Sequence, residues 1–160
     1  MKHHILTFVA LTAMGFASVA SAQTPAPPPP YGAPISLDQA KKAVDAAEVE
    51  ARKNNWNVVI AVVDGGGHLV YLRRMDSTQT GSVVIATGKA SSSASLRRPT
   101  KALEDALQTS TRLLAVPGLM PLEGGVPIVV DGKIVGAIGV SGVTSQQDAQ
   151  IAIAGTAALK

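Results

Sequence analysis

Residues 126–140 read VPIVVDGKIVGAIGV, two apolar runs joined by Asp131-Gly132. Asp-Gly supplies both left-handed positions of a two-residue hairpin turn, so this stretch predicts antiparallel strands over 126–130 and 133–140. Just downstream, Ser145-Gln146-Gln147-Asp148 predicts a capped closing helix to about Leu159. Upstream lies a second hairpin. Val58 to Val63 is an unbroken apolar run, the pattern of a strand covered on both faces. Asp64-Gly65-Gly66-Gly67 follows as the turn, and His68 to Arg73 forms the return strand. Strands joined by tight turns leave no room for a crossover, so the sheet is antiparallel and the fold class is α+β.

The remaining segments supply helices. Ser36-Leu37-Asp38-Gln39 matches a capping box, and Leu37, Ala40, Val44, Ala47 and Ala51 recur at helical spacing, predicting a helix over 37–54 that Asn54-Asn55 ends. Ser82 to Ala94 reads as a helix with a serine-rich end, and Pro99-Thr100 opens a shorter one through about Gln108. Leu113 to Met120 is apolar but follows neither period. Outside the first 22 residues the aromatic side chains are Tyr31, Trp56 and Tyr71, so Ala, Val, Ile and Leu must fill the core. Side chains that small predict closely packed layers.

The start of the chain predicts export. Met1-Lys2-His3-His4 is a short basic head, Ile5 to Ala17 is apolar, and Ala20-Ser21-Ala22 offers a small-x-small cleavage pattern. The apolar run is shorter than the about 20 residues that span a bilayer, so residues 1–22 read as a signal peptide cleaved after Ala22, with no membrane insertion afterwards. The expected location is periplasmic or secreted. Residues 23–35, QTPAPPPPYGAPI, read as a proline-rich, solvated linker, leaving one domain over 36–160.

Composition excludes much chemistry. The chain has no cysteine, which removes disulfides, thiolate nucleophiles and Cys-type metal sites. Its formal charge of +3 includes Lys2 of the leader, and the basic pairs Arg73-Arg74 and Arg97-Arg98 have no aromatic platform beside them in the sequence, so nucleic acid is not an expected partner. His3 and His4 leave with the leader, making His68 the only histidine of the mature chain. No G-x-S-x-G elbow accompanies it, and a multi-histidine metal site within one chain is impossible. On spacing alone His68 is either an ordinary surface histidine or a ligand presented over three glycines. The start of the closing helix, Gly142 to Ser145, offers free N–H groups that could hold a carboxylate.

Taken together, these stretches resemble the GlcG/HbpS family of haem-binding proteins, related to the C-terminal domain of PduO. The resemblance covers about residues 36–160 and rests on VVIAVVDGGGHLV (58–70), RMD (74–76), RPTKAL (98–103) and, most specifically, GGVPIVVDGKIVGAIGVSGVTSQQDAQIA (124–152). It implies an antiparallel sheet with helices on both faces, a three-layer sandwich, and a homo-oligomer holding haem or a related tetrapyrrole at the surface or between subunits. It makes His68 the leading axial ligand for haem iron. Arg73, Arg74 and Lys89 become the candidate partners of the propionates. Some members are described as haem-degrading.

Three functions follow. An exported haem-binding protein that sequesters, carries or degrades haem leads, with binding favoured over turnover. A cofactor-free enzyme on a small organic acid would use His68 or Asp64 as base and Gly142–Ser145 as carboxylate site. A non-catalytic sensor or structural oligomer would need no ligand chemistry.

Overall fold

The structure, a computed structural model, describes residues 27–160; the leader expected over 1–22 lies outside them. Helix α1 (Leu37–Lys53) leads into strands β1 (Val59–Asp64) and β2 (Leu69–Arg74). Helices α2 (Ser82–Leu96) and α3 (Thr100–Leu107) and a 3₁₀ turn over Thr111–Ala115 precede strands β3 (Gly125–Val130) and β4 (Lys133–Ser141), and helix α4 (Ser145–Ala157) closes the chain. The sheet order is β2-β1-β4-β3 and every neighbouring pair is antiparallel.

The local causes are those legible in the sequence. Ser36 and Gln39 form a reciprocal capping box at α1. Asp131 (φ +49°) and Gly132 (φ +72°) both take the left-handed conformation that the β3–β4 turn requires. Helix α4 is capped one residue earlier than expected. Thr144, not Ser145, accepts from the Gln147 N–H, and the Gln147 side chain accepts from the Thr144 N–H.

Helices cover both faces of the sheet. On one, Val44, Ala47 and Ala51 of α1 and Ile151 and Ala152 of α4 pack on Ile60, Val62, Ile138 and Val140. On the other, Ala86, Ala90 and Ala94 of α2 meet Val59, Ala61, Val63 and Ala137. Val59 to Val63 are fully buried, as a strand sandwiched between helix layers must be. Small residues bring α2 close. A methyl group on Gly139 would run into the Ala86 carbonyl oxygen and the Ala90 nitrogen.

The proline-rich segment departs from the solvated linker expected of it. The Ile134 N–H donates to Pro30 O (2.9 Å), Gly32 N–H to Ile134 O (2.8 Å) and Ile35 N–H to Val135 O (2.9 Å). Its pairing with β4 is parallel at Tyr31–Ile134 and takes up the start of β4, before Gly136, where β1 has ended. Ile35 is buried. Proline's missing donors do not prevent this, because Gly32 and Ile35 supply the N–H groups and Pro30 only accepts.

Candidate functional site

The β1–β2 turn is built by one carboxylate. Asp64 Oδ1 accepts the backbone N–H groups of Gly66 and His68, each at 2.9 Å, and these bonds, His68's first, hold the Asp64 carboxyl below its usual range against the opposing effect of burial. Gly67 takes φ +84°, which a residue with Cβ adopts only under strain. A methyl group at Gly66 would lie 2.9 Å from the His68 ring, so glycine there leaves room for the imidazole. The His68 side chain is 83% exposed, with Nδ1 3.3 Å from Asp64 Oδ1. Nε2 is the nitrogen left for a ligand.

Helix α2 supports the turn from one side, with Ser91 Oγ donating to Gly67 O at 2.9 Å. Tyr31 supports it from another. Its ring edge is 3.4 Å from a Cβ position at Gly65, and its hydroxyl donates to Ala94 O (2.9 Å) and Ser95 O (3.2 Å) at the end of α2. Beside Ser91 and Ser95, a shallow and mostly apolar cleft is completed by Leu96 and the Val116–Leu119 segment. The Met120 N–H donates to Ser92 Oγ at 2.7 Å and ties that segment to α2. Leu69, Leu114 and Val116 are exposed. The serine run and the aperiodic apolar stretch thus converge beside Gly67 of the turn that carries His68, a juxtaposition no local sequence signal revealed.

The other expected site residues are placed elsewhere. Arg73 turns to the α1 face and pairs with Asp45 (2.7 Å) and Glu48 while donating to the Tyr71 hydroxyl. Burial would raise Glu48, yet hydrogen bonds from Arg73 and Arg52 outweigh it and hold that carboxyl low. Arg74, on the α2 face, donates to Thr78 O at 2.8 Å. Lys89 is buried, bonded to Asp148 Oδ2 (2.8 Å) and Val140 O (3.0 Å), so it offers no surface charge to a propionate. Asp148 Oδ1 in turn accepts the Val143 N–H at 3.3 Å. The start of α4 is therefore occupied by the chain's own Thr144, Gln147 and Asp148, which removes the carboxylate site considered for Gly142–Ser145.

Among the described residues, no group of three His, Asp or Glu side chains could hold a bare metal ion, and no helix is long and apolar enough to cross a membrane. A single exposed imidazole over a glycine turn, with an apolar cleft bordering that turn, suits a flat ligand that brings its own metal. An arginine at the end of α2, Arg97, also stands at this end of the molecule, with its guanidinium 5.5 Å from the centre of the Tyr31 ring.

Residues 35–157 match the family described as "Haem degrading protein HbpS-like". The chain is 48% identical to Protein GlcG of Escherichia coli K12 over 108 residues, 67% of this chain and 81% of that protein. Its fold is similar to that of a double mutant of Streptomyces reticuli HbpS, with TM-score 0.76 and 32% identity, covering 93% of this chain and 99% of the other. It is also similar to the PduOC:heme complex, with TM-score 0.73 and 25% identity over 79% of this chain and 96% of that one.

Proposed function

The chain belongs to the HbpS-like family, and on that premise we propose that it is an exported haem-binding protein whose β1–β2 turn presents His68 to the iron. The observation that carries this reading is the exposed imidazole itself, the only one of the mature chain, standing over three glycines on a turn whose Gly67 packs against Ser91 and Ser95 at the rim of the apolar cleft. Haem would supply an iron open to an axial ligand. The chain's residues do the rest. Asp64 locks the turn through two backbone N–H groups, and its carboxylate beside Nδ1 favours the ring orientation that leaves Nε2 outward. The apolar cleft shields one side of a flat macrocycle from water.

Export, read from residues 1–22, favours capture and transport over turnover, because haem met outside the cytosol is poorly supplied with reductant. A homo-oligomer is the expected assembly. The outer side of α2 carries no charge, its one lysine being buried, and it exposes Val84.

The test is a hemin titration of the chain lacking residues 1–22. A Soret band forms with the parent, and its ligand-field features change and its affinity falls in His68→Ala. Unchanged spectra and affinity in that variant would remove His68 from the iron.

A further inference from the structure

Arg97 is held in an unusual way. It ends α2 in the left-handed conformation, φ +54°, at the helix position where glycine is the usual residue and an L side chain is strained. Its guanidinium lies over the Tyr31 ring and makes a long 3.4 Å bond to Pro29 O. Among the described residues it has no carboxylate partner, in contrast to Arg73 and Lys89, whose charges are spent within the fold. Tyr31 is positioned by its hydroxyl, which donates to Ala94 O and Ser95 O, while its ring edge rests on Gly65 of the turn that carries His68. A guanidinium lying over an aromatic ring with a single long hydrogen bond of its own keeps donors available for a planar anion.

We propose that Arg97 is the carboxylate anchor of this site, pairing with a propionate of the tetrapyrrole whose iron His68 binds. The assignment rests on the haem reading and adds to it the residue that fixes which edge of the macrocycle faces Tyr31. It also accounts for the strained backbone: the left-handed turn directs the side chain onto the tyrosine, and a backbone held in a sparsely populated conformation is a frequent mark of a ligand clamp.

The experiment compares hemin with hemin dimethyl ester, whose propionates carry no charge, on the parent and on Arg97→Gly. Glycine relieves the strain at this φ, so the variant folds and melts no lower than the parent. Hemin affinity falls roughly tenfold in the variant, the loss of one charge-assisted pair, while ester affinity is the same for both proteins. Equal losses for hemin and ester would overturn the assignment, because Arg97 would then act through packing. Undiminished hemin affinity would overturn it as well. If the parent binds neither compound, the haem reading itself fails and Arg97 falls with it.

Discussion

Lys89 and Asp148 sit on helices from opposite layers and meet with almost no exposed surface on either side chain. Burial pushes the Asp148 carboxyl up, and Lys89 opposes that shift. Such a pair adds little over an apolar replacement, but removing one partner leaves an uncompensated buried charge and costs about 3–5 kcal/mol. Lys89→Ala is therefore expected to destabilise the protein by about that amount, and Lys89→Met combined with Asp148→Leu to recover most of it. Urea denaturation of the two variants checks this. A single variant as stable as the parent would show that the pair is not desolvated as the structure has it. The family resemblance made Lys89 a candidate partner of a propionate; its actual partner, Asp148, lies 59 positions along the chain, and no local pattern reports a contact at that separation.

At the scale of elements, the closeness of α2 to the sheet governs the second face. Gly139 faces Ala86 and Ala90, and a methyl group there would meet the Ala86 carbonyl oxygen, the Ala90 nitrogen and the Ala90 Cβ, none of which can swing aside. Gly139→Ala should cost about 1–3 kcal/mol, the range for overpacking, even though alanine is ordinarily the better residue in a strand than glycine. A melting temperature equal to or above the parent's would contradict that contact. Both hairpins and all four helices were legible because their signals are local: Asp131-Gly132, the triple glycine after Asp64, the two serine- or threonine-led capping boxes, the apolar residues after Ser82 and the Pro99-Thr100 start. The site was legible only in part. His68 stood out by inventory, whereas the cleft joins Ser91 and Ser95 to Val116–Leu119 through tertiary packing, and Arg97 stands on Tyr31 across more than sixty positions. Leu113–Met120 follows no period because it forms one short 3₁₀ turn and an irregular run anchored at Ser92.

Across the whole molecule, the proline-rich segment changes what counts as the folded unit. The family match begins at residue 35, yet Pro30 and Gly32 already exchange hydrogen bonds with Ile134, and Tyr31 braces both the His68 turn and the end of α2. Ile35 fills a place in the core beneath that strap. A chain beginning at Ser36 loses the buried isoleucine, worth about 1.5–3 kcal/mol of apolar burial, together with the bonds to β4. It should unfold at clearly lower urea concentration than a chain beginning at Pro27, and its slope against denaturant should fall slightly because less surface is buried. The truncation also removes the platform beneath Arg97, so hemin affinity should drop while affinity for the dimethyl ester changes less. If the two chains share one denaturation midpoint, the segment is a passive linker after all, and the support for Arg97 must come from the end of α2 alone.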